Sequence, residues 1–130
     1  MTREIKFRAK IVMDIESLAM KKGHWVEGHY YEDLQDGEWC SWIKECNDII
    51  HYRVYKNTLG QFTGIIDKNG KEIWENDIVN WDGAILVAKF IDGSFCIQEN
   101  YEGATAHDLF FERDEINVIG NVFDNPELLE

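Results

Sequence analysis

The 130-residue chain is poor in proline and cysteine, and it lacks any long hydrophobic run. With Pro126 as its single proline, the sequence contains no proline-rich linker. Its three cysteines, Cys40, Cys46 and Cys96, are irregularly spaced, which argues against a disulfide framework and is typical of a reducing compartment. No window approaches the roughly 18 apolar residues of a transmembrane helix, and residues 1–10 do not resemble a secretory signal. These absences predict a cytoplasmic protein with no membrane partner.

Apolar and aromatic residues are plentiful. Hydrophobic residues make up 45% of the chain, which has 5 Trp, 5 Tyr and 7 Phe. A chain of this length buries about two-thirds of its unfolded surface, so a packed core is expected. We therefore predict one domain over residues 1–130, with possible sub-lobes at 1–59 and 60–130.

The net charge of −12 is concentrated in the second half of the chain. Residues 1–59 carry a net charge of −1, whereas residues 60–130 carry −11. The acidic C-terminal half should repel phosphate backbones, so nucleic-acid binding through it is not expected. Solubility is the simplest explanation of this charge. The alternatives are a surface for a basic partner and a mimic of nucleic acid.

Tight-turn dipeptides divide the sequence into short β-rich segments. They are Asp36-Gly37, Asn69-Gly70, Asp82-Gly83 and Asp92-Gly93. Such pairs suit two-residue hairpin loops, because both central residues need positive φ. The pattern therefore favours a strand-rich fold.

Residues 77–98 carry the clearest β pattern. If Asp82-Gly83 and Asp92-Gly93 form two-residue loops, one sheet face collects apolar residues from all three strands. These are Val79, Trp81, Leu86, Ala88, Phe90, Phe95 and Ile97. The opposite face is also partly apolar, so we expect another part of the protein to cover it.

The other segments complete a mainly β prediction. Further strands are expected at 3–9, 24–31, 38–43, 48–55, 61–66 and 116–122. Residues 11–22 could form one or two helical turns, residues 104–111 a short helix or an irregular strand, and Pro126 should open a terminal helical turn. We predict a β-rich α+β fold, with an N-terminal β meander, a C-terminal SH3-like small barrel and one or two short helical turns.

No pattern in the sequence predicts catalysis. The possible zinc ligands, His24, His29, Cys40, Cys46, His51 and His107, lack the spacing of a closed site. No nucleophile elbow and no glycine-rich phosphate loop is present. The carboxylates between Asp67 and Asp82 are simply explained as turn residues and solvent-facing groups. We therefore expect no catalytic residue, metal or cofactor. An enzyme built from scattered carboxylates with His51 or His107 is an alternative.

Two sets of residues are candidates for binding. The first is an aromatic set: Trp25, Tyr30, Tyr31, Trp39 and Trp42. Trp and Tyr are enriched in protein interfaces, although a small β domain also uses them in its core. The second set is the alternating cations Arg3, Lys6, Arg8 and Lys10. They could meet nucleic acid or an acidic partner, or they could be a solvated strand face that blocks edge pairing.

Four blocks of the sequence form a recognisable set: REIKFRAK at 3–10, G-x-W-V-x-G-x-Y at 23–30, GQFTGIIDKNGKEIWENDIV at 60–79 and VIGNVFDNPELLE at 118–130. Together they resemble the YopX family of bacteriophage and prophage proteins. Residues 11–22 look like an insertion relative to the family. Asn76 stands where the family pattern has Gly, and Trp74 stands where it has Tyr.

The resemblance implies a phage or prophage protein that works in a bacterial cytoplasm, with self-assembly as one option. The family has no assigned activity, so no catalytic residue carries over. We therefore expect a non-enzymatic module that binds a protein partner or forms a homo-oligomer. The alternatives are a nucleic-acid-linked accessory protein or DNA mimic, and an enzyme with an unrecognised site.

Overall fold

A computed structural model describes residues 4–130, so Arg3 of the predicted basic strand lies outside the described residues. The chain forms two compact units, Met1–Gln61 and Phe62–Glu130. Each unit has its own buried apolar cluster.

The first unit is an antiparallel sheet built from consecutive strands. They are β1 (Phe7–Lys10), β2 (Trp25–Gln35), β3 (Glu38–Lys44), β4 (His51–Arg53) and the start of β5 (Gly60–Ile66). The order β4-β3-β2-β1 is that of a meander, and Gly60 and Gln61 pair with the free side of β1. Short 3-10 helices lie at Glu16–Leu18 and Lys56–Thr58. The predicted N-terminal β meander is therefore confirmed.

One face of this sheet is buried because apolar residues alternate along each strand. Its cluster comprises Ala9, Ile11, Val26, Ile43, Tyr52 and Val54. Gly28 lies on the same face, where a Cβ atom would clash with the backbone of Lys44. Only glycine allows this close approach of β2 and β3.

Residues 11–22 form a compact excursion between β1 and β2. A single helical turn, Glu16–Leu18, is closed by an antiparallel bridge between Ile15 and Met20. Ala19 has a φ of 54°, which lets the chain reverse after the turn. The one-turn alternative of the sequence analysis is confirmed.

The second unit contains the rest of β5 and six further strands. These are β6 (Glu72–Trp74), β7 (Asp77–Trp81), β8 (Ala84–Ile91), β9 (Ser94–Gln98), β10 (Ala106–Asp108) and β11 (Ile116–Asn121). Its α-helix is α1 (Leu109–Glu112), and 3-10 turns lie at Arg113–Glu115 and Pro126–Leu129. Residues 104–111 therefore combine both predicted alternatives, a short strand and a short helix.

The five-stranded sheet has the antiparallel order β10-β9-β8-β7-β11 and is open. The mainly β class is confirmed, but the sheet is not a closed SH3-like barrel. Closure would need β10 and β11 to pair with each other. Instead β10 ends after three residues, where the Asp108 side chain accepts a hydrogen bond from the Phe111 N–H and starts α1.

The predicted register over residues 77–98 is confirmed. Val79 lies opposite Leu86, and Phe90 lies opposite Phe95. The predicted apolar face forms a core with Ile73, Leu109 and Ile116. Phe90 shares this face but stays 51% exposed, because it lies beside the Asp92-Gly93 turn at the end of the hairpin.

The opposite face of this sheet is also covered. Ile78 and Val87 are both buried there. The expected covering of the partly apolar second face is therefore present around Ile78 and Val87.

Asp-Gly turns form as predicted, whereas the Asn69-Gly70 turn differs. Asp36, Asp82 and Asp92 have positive φ and precede glycines that also have positive φ. The connection containing Asn69 is five residues long, because the Asp67 carboxylate accepts hydrogen bonds from the N–H groups of Asn69 and Lys71 at 2.9 and 2.8 Å. A side-chain-stabilised loop thus replaces a two-residue turn.

Candidate functional site

The outer end of the β2–β3 hairpin extends beyond the strands that flank it. β1 pairs with β2 only as far as Gly28, and β4 pairs with β3 only as far as Trp42. From there to the turn, residues 33–40 pair with each other in an uninterrupted antiparallel register. We call residues 33–40 the hairpin tip.

Two large apolar side chains occupy one face of the hairpin tip. Leu34 and Trp39 lie directly opposite each other, and they are 58% and 70% exposed. Directly paired residues share a face, so the two side chains form one apolar patch. The tip has no Lys or Arg, and its acidic residues are Asp33, Asp36 and Glu38. The charged residues of the tip itself are therefore all acidic, with Asp33 and Glu38 on the face opposite Leu34 and Trp39. Arg53 and Lys56, from outside the tip, line a cavity together with Trp39.

A hydrogen-bonded network supports the base of this patch. The Tyr30 hydroxyl contacts Glu32 Oε2 and Ser41 Oγ, and Lys56 Nζ lies 2.9 Å from Glu32 Oε2. The hydrogen bond from Tyr30 is the main cause that lowers the pKa of Glu32, and Lys56 adds to it. Burial is the main cause that raises the pKa of Tyr30. The network keeps Glu32 ionised beside the hairpin tip.

The opposite face of the same sheet presents a second aromatic group. The rings of Tyr31 and Trp42 are nearly parallel, with centroids 6.3 Å apart and an interplanar angle of 11°. The Tyr31 hydroxyl lies 2.6 Å from His51 Nδ1. Trp42 Nε1 donates a hydrogen bond to Asp33 at 2.8 Å. These contacts fix both rings in place.

Trp25 lies on this second face together with cations of β1. The Arg8 guanidinium is 4.7 Å from the centroid of the Trp25 ring, and Lys10 Nζ is 5.3 Å from it. Such cation–π contacts orient a half-buried ring without removing it from the surface.

The five aromatic residues singled out in the sequence divide between two faces. Tyr30 and Trp39 lie on the face that continues into the core, and Trp25, Tyr31 and Trp42 lie on the other. Leu34, the cross-strand partner of Trp39, is not singled out in the sequence analysis, because residues 33–37 are interpreted there as the hairpin connection. Counting outward from Asp36-Gly37, as was done for residues 77–98, would have paired Leu34 with Trp39.

The histidines and carboxylates weighed as catalytic groups have structural contacts. His51 contacts Tyr31, and the His107 ring packs against Trp81 with centroids 4.5 Å apart. Asp77 accepts a hydrogen bond from the Trp74 N–H at 2.7 Å. Asp67 accepts three backbone hydrogen bonds, including one from Val118 at 2.8 Å. These two buried carboxylates serve the backbone around them.

The possible metal ligands of residues 4–130 are dispersed. No group of three or more His, Cys, Asp or Glu residues in this range could hold a metal ion. Cys40 and Cys96 are buried, Cys46 is exposed, and all three are free. Burial raises the pKa of the Cys96 thiol. Within the same range, no helix has both the length and the apolar character needed to cross a bilayer.

Comparison with known proteins gives a family for the chain. Comparison with curated proteins found no match. Protein EF1440 from Enterococcus faecalis has a similar crystal structure, with 23% sequence identity, a TM-score of 0.49 and coverage of 99% of this chain and 100% of that one. Protein yopX from Bacillus subtilis also has a similar crystal structure, with 20% identity, a TM-score of 0.47 and the same coverage. The family model described as YopX protein matches residues 6–130. This chain therefore belongs to the YopX family.

Proposed function

We propose that this YopX-family protein is a non-enzymatic protein-binding module, supplied by a phage or prophage to the bacterial cytoplasm. The observation that carries the proposal is the exposed pair of Leu34 and Trp39 on the hairpin tip. The family resemblance and the sequence composition support the phage origin and the cytoplasmic location.

The exposed pair has the character of a binding hot spot. Tryptophan is enriched among the residues that contribute most to protein–protein binding, and such residues sit within a polar rim. Burying a large apolar side chain stabilises a complex by about 1.5–3 kcal/mol. A two-stranded ribbon is marginally stable in water. An exposed Trp on such a ribbon therefore gains most from a partner that covers it.

Charge favours a basic protein as the partner rather than a second copy of this chain. The hairpin tip carries Asp33, Asp36 and Glu38 without a cation, and the whole chain has a net charge of −12. Two acidic tips would repel each other, whereas a basic surface with an apolar pocket complements the tip. A homo-oligomer is the competing outcome.

The test is affinity capture from a lysate of the bacterial host with the wild-type chain and two matched double variants. Leu34→Ser with Trp39→Ser removes the apolar pair of the tip. Phe110→Ser with Phe111→Ser removes an equally exposed aromatic pair from the second unit. We expect a basic host or phage protein that is retained by the wild type and the second variant, resists nuclease, and is lost with the first variant.

Three results would contradict the proposal. Capture that is unchanged by the tip substitutions would remove the tip as the binding surface. Capture that disappears with nuclease would replace the protein partner with nucleic acid. Light scattering that shows a stable dimer, which dissociates when Leu34 and Trp39 are replaced, would make a second copy the partner.

A further inference from the structure

The sheet of the first unit concentrates positive charge on the face opposite the hydrophobic cluster. We call it the outer face. It carries the cations Lys6, Arg8, Lys10, Lys44 and Arg53, five of the 13 Lys and Arg residues of the chain. The carboxylates on the same face are Glu27, Asp33 and Glu38, and Lys6 Nζ lies 3.1 Å from Glu4 and 3.6 Å from Glu27. This face of an acidic protein thus carries a small excess of cations, in which Arg8, Lys10, Lys44 and Arg53 lie near aromatic rings.

The strand register sets these cations beside aromatic rings in adjacent rows. Tyr31, Trp42 and Arg53 form one row across β2, β3 and β4. His29, Lys44 and His51 form the next row along the same strands. Cross-strand neighbours are about 5 Å apart, so each ring in the first row lies beside a cation or within one row of one.

Toward the start of β2, Trp25 and two cations of β1 form a second group of an aromatic ring with adjacent cations. Lys10 is the cross-strand partner of Trp25, and Arg8 lies over the same ring. Trp25 and Tyr31 are six residues apart on one strand, which is a distance of about 20 Å. The outer face therefore has two aromatic positions, and between them Glu27 pairs with Arg8 and His29 pairs with Lys44.

We propose that the outer face binds a single-stranded nucleic acid, with the bases stacking on Trp25 and on the Tyr31–Trp42 pair. Exposed bases stack on aromatic side chains regardless of sequence, and cations along the groove contact the phosphates. The hydroxyl of Tyr31 on His51 and the indole N–H of Trp42 on Asp33 hold the rings in place before any ligand arrives.

Single strands fit this face better than a duplex, because a duplex hides the base faces that the rings would contact. Gln35, beside the hairpin turn, is the one Asn, Gln, Ser or Thr residue on the outer-face positions of β1, β2, β3 and β4. Amide and hydroxyl side chains commonly read base edges and sugar hydroxyls. The expected binding is therefore insensitive to base sequence and similar for DNA and RNA.

The acidic second half of the chain does not exclude this binding. Repulsion from exposed charges is screened over about 10 Å at 0.1 M salt, whereas the outer-face cations contact the ligand directly. The proposal concerns a different surface and a different ligand from the hairpin tip, so either can fail without the other.

The experiment is a fluorescence anisotropy titration of a labelled 15-nucleotide oligo-dT with the full chain at neutral pH and low salt. We expect saturable binding that weakens with salt, with a slope of log K against log salt of about −2 to −3 for three or four phosphate contacts. Oligo-U should bind within a few-fold of oligo-dT. A 15-base-pair duplex and polyglutamate should both bind at least tenfold more weakly.

Matched variants distinguish a direct contact between the outer face and the nucleic acid from an effect of the protein's net charge. Arg53→Glu reverses an outer-face charge, and Lys71→Glu makes the same change at an exposed site in the second unit. We expect at least a tenfold loss for Arg53→Glu and less than a twofold change for Lys71→Glu. Tyr31→Leu should weaken binding about fivefold or more, as expected for a lost stacking platform, whereas Tyr31→Phe should retain it.

Several results would overturn the proposal. One is the absence of any binding at low salt with 100-fold more protein than label. Others are equal losses for Arg53→Glu and Lys71→Glu, duplex or polyglutamate binding as tight as that of oligo-dT, and unchanged affinity for Tyr31→Leu. Circular dichroism of each variant shows that the comparison is made between folded proteins.

Discussion

The abundance of carboxylates suggests a solvated acidic surface, but individual buried carboxylates have a structural role. Fifteen of the 25 Asp and Glu residues lie in residues 60–130, yet the buried ones serve the backbone. Asp67 is 5% exposed and joins the β5–β6 loop to Val118 of β11. The sequence predicts a turn at Asp67–Gly70, but the bond to Val118 spans 51 positions and no local pattern indicates it.

Replacing Asp67 should therefore be costly. Asp67→Ala leaves three backbone N–H groups without their acceptor, and we expect a loss of about 2–4 kcal/mol in the free energy of unfolding. Denaturant unfolding measures it. Asp114→Ala, at an exposed position, is the matched control and should change stability by less than about 0.5 kcal/mol. Equal effects of the two substitutions would show that the Asp67 hydrogen bonds do not stabilise the fold.

The network at Glu32 makes a prediction about pH. Since its pKa is lowered in the folded protein, Glu32 favours folding above the ordinary pKa of a glutamate, and this contribution is lost as the pH falls through the lowered value. Tyr30→Phe should move the pKa of Glu32 back toward the ordinary value. Lys56→Gln should move it less, because the Tyr30 hydrogen bond is the larger cause.

Carbon-13 NMR of the Glu32 carboxyl group during a pH titration gives these values. An ordinary pKa in the wild type would contradict the network. So would a larger shift in Lys56→Gln than in Tyr30→Phe.

At the scale of elements, the sequence predicts hairpins well and sheet closure poorly. The pairing of Val79 with Leu86 follows from one turn and from alternation, both of which are local. Closure of a barrel depends on whether β10 and β11 meet. In this chain β10 ends at Asp108, whose side chain caps α1. The outer part of the β2–β3 hairpin is also not predicted, because residues 33–37 are interpreted as a connection in the sequence analysis.

The contribution of the hairpin tip to stability can be tested by substitution. Leu34→Ser with Trp39→Ser should change the free energy of unfolding by less than about 1 kcal/mol, because exposed cross-strand pairs contribute little to stability. Ile43→Ala, on β3 of the same hairpin but fully buried, should cost about 2–5 kcal/mol.

Thermal and denaturant unfolding of the two variants distinguish these effects. A large loss of stability for the double Ser variant would mean that the exposed pair is there to hold the hairpin together. A small loss in the free energy of unfolding would support a role for the exposed tryptophan in binding.

For the whole molecule, the asymmetry of charge was readable from the sequence, but its placement was not. The sequence shows that residues 1–59 are nearly neutral. The strand register shows that this neutrality combines a cluster of cations on the outer face with acidic residues at the hairpin tip. The aromatic residues divide between the two faces, with Tyr30 and Trp39 on one and Trp25, Tyr31 and Trp42 on the other.

The measurement that most directly tests the central proposal is site-specific photo-crosslinking in the bacterial host. A photoreactive phenylalanine analogue replaces Trp39 in one variant and Phe111, which is 81% exposed in the second unit, in the control. We predict a covalent adduct from position 39 to a basic protein, and no such adduct from position 111. The proposal would be contradicted by the absence of an adduct at position 39, or by an adduct there whose mass is that of two copies of this chain.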